Sequence, residues 1–272
     1  MQTRVGIFDS GVGGLSVWRE ITRRMPGLET LYVADQAHIP YGPRPRDEIR
    51  AYARGITRFL LERGCTTVVV ACNAASAAAL ADLRGTFEGT PFVGMEPAVK
   101  PAAENSRRRV VGVLATPATL QGELFATTVE RFAADVRIVR QVCPGLVERI
   151  EAGDVDGSAT REMLRGFLQP ALEAGADTLV LACTHYPFVR TAIEALAGPG
   201  VLVIDPAPAI ARQVERVLGA ARPSDGAAAT RPIFYTTGAV EIFERTAARL
   251  LGASCRAFGA EWRDDRLVAS SS

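Results

Sequence analysis

The chain has 272 residues, enough for one large domain or two smaller ones with a substantial core. Its 48% hydrophobic and 22% charged content is that of an ordinary globular protein, and a formal net charge of +1 leaves no basic excess for nucleic acid. Lys100 is the sole lysine and sits in no recognisable cofactor context, which argues against a pyridoxal phosphate enzyme built on a lysine Schiff base. No apolar run approaches the roughly 20 residues needed to cross a bilayer, and Met1 opens no charged-then-apolar signal segment. Five cysteines, an odd number in a chain too large to need staples, are expected as free thiols in a reducing cytoplasm.

In chain order, Val5–Phe8 reads as a short apolar strand, followed by the glycine-rich turn Asp9–Gly14 and a helix over Leu15–Met25. A second strand, Leu31–Ala34, leads through a loop with the Pro-Tyr-Gly-Pro run at 40–43 to a helix from about Asp47 to Arg63. Strand Val68–Ala71 delivers Cys72 to its carboxyl end, and the alanine-rich segment Ala75–Phe87 is strongly helical. Phe92–Pro97 adds a strand and turn, after which Pro97 and Pro101 are expected to bracket a crossover. Val110–Thr119 then repeats the strand, turn and helix pattern of the start. It is followed by strand Val136–Val139, a loop and helix over Cys143–Glu151, and a helix over Ala159–Ala174. Strand Leu179–Ala182 delivers Cys183 as the earlier strand delivers Cys72. Strand Val201–Ile204, helix Ala207–Ala220, a loose loop Pro223–Pro232, strand Ile233–Tyr235 and helix Val240–Leu251 complete the pattern, with Leu267–Ser272 expected to fray.

Alternating strands and helices imply an α/β fold with mainly parallel sheets covered on both faces. The matched strand spacing points to two pseudo-symmetric α/β domains with the active site in the cleft between them. We expect residues 1–97 with 206–272 on the Cys72 side and 98–205 on the Cys183 side.

Two thiols at the ends of equivalent strands stand where open α/β sheets build their sites. Each alone could be core packing; their shared position argues for two-sided chemistry on one substrate. Cys65, Cys143 and Cys255 lack that context and read as packing residues. His185, two positions after Cys183, could tune or deprotonate a thiol, so a Cys–His hydrolase is an alternative that leaves Cys72 idle. Zinc on Cys72, Cys183 and His185 is conceivable, without the Cys-x-x-Cys spacing of a compact structural site. His38 reads as a polar loop residue. Asp9-Ser10-Gly11 matches an aspartic-protease fingerprint, but in the wrong fold class and without a second copy. A phosphate loop would lack its Gly-Lys-Ser/Thr and be repelled by Asp9. A capped turn is the plain reading; an acid beside exposed backbone better suits orienting an ammonium and a carboxylate.

Taken together, Asp-Ser-Gly-Val-Gly-Gly at 9–14, Pro-Tyr-Gly-Pro-Arg at 40–44, Ala-Cys-Asn-Ala-Ala-Ser at 71–76, Gly94-x-Glu-Pro, Gly-Val-Leu-Ala-Thr at 112–116 and Ala-Cys-Thr-His-Tyr-Pro at 182–187 closely resemble glutamate racemase. That family belongs to the cofactor-independent aspartate/glutamate racemases. The resemblance implies Cys72 and Cys183 as acid–base thiols, with Cys72 taking the proton of the D-enantiomer and Cys183 that of the L-enantiomer. It implies Asp9, Glu151 and His185 as groups that tune them. Asp9, Ser10, Tyr41, Gly42, Asn73, Ala74, Thr116, Thr119, Thr184 and His185 become the substrate contacts. Ala74 departs from the pattern, since the family commonly has threonine there; the missing hydroxyl removes a bond worth about 0.5–3 kcal/mol.

The implied activity is cofactor-free interconversion of L- and D-glutamate, needing neither metal nor nicotinamide and supplying peptidoglycan synthesis. The runner-up is aspartate or another amino acid; a non-catalytic amino-acid-binding protein is a further alternative. The expected partner is the small-molecule substrate, with no nucleic acid and no membrane, and a homodimer is the assembly the family suggests. Because the chain opens on its first strand, without the extension of precursor-activated members, no such activation is expected.

Overall fold

The computed structural model describes residues 3–224 and 227–270. Met1, part of the loop over 223–232, and the last two positions of the expected frayed end lie outside the described residues.

Two parallel sheets form the framework. The first half winds through β1 (Arg4–Asp9), α1 (Leu15–Arg24), β2 (Glu29–Ala34), α2 (Arg46–Glu62), β3 (Thr67–Val70), α3 (Asn73–Thr86) and β4 (Phe92–Gly94). The chain then crosses through α4 (Val99–Asn105) into β5 (Val110–Ala115), α5 (Pro117–Gln121), α6 (Glu123–Phe132) and β6 (Arg137–Val142). Next come α7 (Leu146–Glu151), α8 (Ser158–Glu173), β7 (Thr178–Ala182), α9 (Arg190–Ala197) and β8 (Leu202–Ile204). It returns through α10 (Ala207–Leu218) to β9 (Ile233–Thr236), α11 (Val240–Leu251), β10 (Ala257–Arg263) and β11 (Arg266–Ala269).

The larger sheet has the order β11-β10-β9-β2-β1-β3-β4 and the smaller β6-β5-β7-β8. Reading each half from its own first strand gives the same order, second-first-third-fourth, so the repetition seen in strand spacing is a repetition of topology. All pairings are parallel except the β10–β11 hairpin. Fully buried strands such as Thr67–Val70 and Thr178–Ala182 read as continuous β-branched and aliphatic runs because helices cover both faces. One apolar core runs through both halves, joining Val5, Ile7 and Leu15 to Leu179, Leu181 and Tyr186. Separate cores fill the outer faces of each sheet.

One expectation is sharpened and one is corrected. The crossover expected at Pro97 and Pro101 is present, and Val99–Asn105 within it is helical. Pro101 lies in the first turn of that helix, where a missing N–H costs nothing. The end of the chain does not fray from Leu267: β11 pairs with β10, and Leu267 is 1% exposed. Burying a leucine this fully stabilises by about 1.5–3 kcal/mol, enough to hold a short edge strand. The C-terminal hairpin is thus an addition to the doubly wound pattern.

Candidate active site

The carboxyl ends of β1 and β3 face those of β5 and β7 across the cleft, the position where strand order reverses in each half. The loops there line a cavity of about 20 Å³, room for about one water. Its wall contains Asp9, Ser10, Tyr41, Gly42, Cys72, Asn73, Ala74, Thr116, Cys183, Thr184 and His185, with Pro40 and Val147. Eleven sequence-expected residues from five separate segments therefore meet at one small space. Thr119 stands behind it, with its Oγ1 3.1 Å from that of Thr116. Glu151 also stands behind it, against His185.

Cys72 is the residue from which α3 starts, in extended conformation at the end of β3. Burial pushes its thiol well above the ordinary range, and the Asp9 carboxylate beside it adds to the shift. The backbone N–H of Ala75 in the first turn of α3 offsets this in part. Asp9 is itself wholly buried at the end of β1. Desolvation raises its pKa, against the opposing pull of the His185 charge and of the Gly14 amide, which donates to Oδ2 at 2.8 Å. Its Oδ1 has no hydrogen-bond partner, and neither Nδ2 nor Oδ1 of the buried Asn73 is paired. Buried orphan polar atoms cost free energy, and their concentration at one cavity marks a place built for a polar ligand.

Cys183 has different neighbours. His185 Nδ1 lies 3.8 Å from its sulfur, and Nε2 donates to Glu151 Oε1 at 2.7 Å. Burial alone would depress the imidazole, but its bonds to Cys183 and Glu151 override this and raise it well above its ordinary value. Glu151 Oε1 also accepts from the Val12 amide at 2.7 Å, so one carboxylate on α7 ties the imidazole to the glycine-rich turn of the other half.

That turn is glycine-rich for a packing reason. A Cβ on Gly11 would strike the Glu151 carboxylate, and one on Gly13 would strike the His185 ring. Two further bonds close the cleft: Ser16 Oγ donates to the Thr184 carbonyl at 2.8 Å, and the Ala118 amide donates to the Gly42 carbonyl at 3.2 Å. Tyr41 is held by Asp35, whose buried carboxylate accepts from the Tyr41 hydroxyl at 2.6 Å, Trp262 Nε1 at 2.7 Å and Thr237 Oγ1 at 2.9 Å.

A family model described as Asp/Glu/Hydantoin racemase matches residues 11–214. The chain belongs to that family. The glutamate racemase of Pseudomonas paraeruginosa is 52% identical to it over 248 residues, 91% of this chain and 94% of the relative. That of a Roseiflexus species is 54% identical over 214 residues, 79% of either chain. Among solved structures, Escherichia coli glutamate racemase in complex with L-glutamate and the activator UDP-MurNAc-Ala is 30% identical, with a TM-score of 0.84 covering 100% of both chains. The Thermus thermophilus glutamate racemase in complex with β-chloro-D-alanine is 35% identical, with a TM-score of 0.79 over 96% of this chain and 97% of that one. The chain is an enzyme of the isomerase class, an amino-acid racemase acting on a small molecule.

The remaining titratable candidates of this racemase fall outside the cavity. Lys100 is exposed on α4, near Glu104 and over the Phe132 ring. Cys65 and Cys143 are buried packing residues whose thiols desolvation pushes up to about 12. His38 stacks on Tyr52 at 3.8 Å and contacts Asp35, a more structured role than a loop residue has. No helix among the described residues is long and apolar enough to cross a membrane. Among the described residues, no three of His, Cys, Asp and Glu converge as a metal-binding group.

Sequence reasoning missed Pro40, Val147, Gln36 and Asp35. Val147 precedes Glu151 by four residues and so shares its face of α7, a signal the spacing did contain. Pro40 belonged to the motif that named Tyr41 and Gly42.

Proposed function

We propose that this chain interconverts L- and D-glutamate without a cofactor, using Cys72 and Cys183 as acid–base groups on opposite faces of the α-carbon. The observation that carries the reading is a pair of strand-end thiols on one cavity whose neighbours have opposite charge. Inversion needs one base to remove the α-proton and a different acid to supply another from the far side. Cys72, raised by burial and by Asp9, is suited to hold a proton. Cys183 has the His185 imidazole as its neighbour, Nδ1 3.8 Å from the sulfur, a group placed to exchange a proton with it.

From L-glutamate, the Cys183 sulfur takes the α-proton and the Cys72 S–H delivers its own to the opposite face. This leaves D-glutamate, a Cys72 thiolate and a Cys183 thiol; the reverse reaction exchanges the roles. Charge developing on the substrate is met by donors at the cavity, among them Asn73, Ser10, Thr116, Thr184 and the amides opening α3. Thr119 supports Thr116. A cavity of about 20 Å³ is too small for glutamate, so we infer that substrate enters by opening the cleft between residues 1–97 with 206–272 and residues 98–205.

A Cys–His–carboxylate row would by itself suit a hydrolase. Cys72 across the same cavity, and relatives about half identical that carry the racemase name, favour the two-thiol reading. Those names also favour glutamate over aspartate. The reading implies D-glutamate supply for peptidoglycan, in a cytoplasm that keeps the thiols reduced, with a homodimer as the assembly to test.

Cys72→Ser and Cys183→Ser should each lower kcat/KM for glutamate by about 10²–10⁴-fold with circular dichroism unchanged. Parental rates in both would end the assignment. Optical rotation with L-glutamate and L-aspartate side by side should show glutamate turned over faster.

A further inference from the structure

A hydrogen-bond row enters the Cys183 half of the site from the residues after β2. Gln36 Nε2 donates to Glu151 Oε2 at 2.8 Å, while Oε1 of that carboxylate serves His185 and the Val12 amide. The other end of the Gln36 amide accepts from Thr236 Oγ1 at 2.8 Å, and this hydroxyl accepts from the Gly238 amide at 3.0 Å. The polarity of the row is set at the Glu151 end, where the Gln36 nitrogen donates to the carboxylate oxygen and so leaves Gln36 Oε1 facing Thr236. The single hydroxyl proton of Thr236 therefore goes to Gln36 Oε1, and the Gln36 nitrogen must turn to Glu151.

The surroundings are shaped to this arrangement. Thr236 is fully buried at the end of β9. A Cβ on Gly238 would lie 2.9 Å from Gln36 Cβ and 3.0 Å from its Oε1. Thr236 and Gly238 lie beyond residues 11–214, the stretch that the family model matches. The row thus connects the last part of the chain to the imidazole at Cys183, across the cleft from the β2 side to α7.

We propose that Gln36 is a positioning residue for the Cys183 half: oriented by Thr236, it holds the Glu151 carboxylate against His185 Nε2 and so fixes the imidazole beside the Cys183 sulfur. This rests on the two-thiol reading of the site. Without the amide, Glu151 Oε2 loses the donor that opposes rotation of the carboxylate, and the bond to His185 loosens. Gln36 touches neither thiol; its effect passes through Glu151.

Three variants test the row. Gln36→Met keeps the length of the side chain and removes both amide groups. Thr236→Val keeps the shape and removes the hydroxyl, whereas Thr236→Ser keeps the hydroxyl. The chain has only two histidines, so the imidazole resonances of His185 can be titrated beside those of His38 alone. Gln36→Met and Thr236→Val should each lower kcat/KM for glutamate by about tenfold, as expected for losing a bond to a charged group. Both should move the His185 titration to lower pH, and Thr236→Ser should stay near the parent in both respects. An unmoved His185 titration in Gln36→Met and Thr236→Val, or a Thr236→Ser protein that behaves like Thr236→Val, overturns the positioning role. The titration is read without turnover, so it separates this outcome from failure of the two-thiol reading, which parental activity in both cysteine variants would reveal.

Discussion

The two halves of this racemase share a strand order and a strand-end cysteine, yet they surround the two thiols with opposite chemistry. On the β1–β3 side, Cys72 has a buried carboxyl, Asp9, as its neighbour. On the β5–β7 side, Cys183 has an imidazole backed by Glu151. The comparison teaches that a duplicated scaffold supplies the geometry, two sulfurs on facing sheet ends, while the loops supply the asymmetry. The difference also explains the glycine-rich turn: it belongs to the Cys72 half, but its missing side chains make room for Glu151 and His185 beside Cys183.

The asymmetry can be broken from either side. The largest effect is expected from His185→Asn, which removes the cation facing Cys183. We expect kcat/KM to fall by about 10²-fold or more, equally in both directions because the enantiomers have the same free energy. His185 is raised in the folded state, so the stability it contributes is complete below its ordinary pKa of 6.5 and is lost as pH climbs through the raised value. Melting temperatures of His185→Asn should accordingly lose part of the alkaline decline seen in the parent.

Asp9→Asn acts on the other half and should cost roughly tenfold in kcat/KM. A carboxyl raised in the folded state binds more protons folded than unfolded. Its contribution to stability therefore falls as pH rises from the ordinary 3.8 through the raised value. Replacing it should raise the melting temperature at neutral pH while activity drops; a fall in both would show that the charge stabilises the fold. The smallest effect is expected at Ala74, a buried residue of the cavity wall beside Cys72. Ala74→Thr should lower KM for glutamate by about two- to fivefold through one added hydrogen bond. A raised KM would mean that the wall is too tight there.

Much of this was legible in the chain. Continuous apolar strands ending in Ala-Cys, separated by helical segments, imply the two parallel sheets and the placement of both thiols. The helix at Val99–Asn105 was obscured because Pro97 before it and Pro101 within it carry the same signal as a turn; only the first-turn position of Pro101 resolves the ambiguity. The β10–β11 hairpin was hidden because Ala257–Arg263 mixes glycine and charges and has no clean alternation. At the site, residues adjacent to strand-end motifs were readable, whereas Gln36 and Thr236, 200 positions apart, acquire meaning only once β9 is beside β2.

The central claim is that the two faces of one α-carbon are served by two different sulfurs. Racemisation of L-glutamate in deuterium oxide, sampled early and read by proton NMR at the α-carbon, tests it most directly. The account predicts deuterium in the D-glutamate formed while the remaining L-glutamate keeps its proton. Deuterium appearing in unreacted L-glutamate as fast as in the product would mean one base serving both faces, and would contradict it.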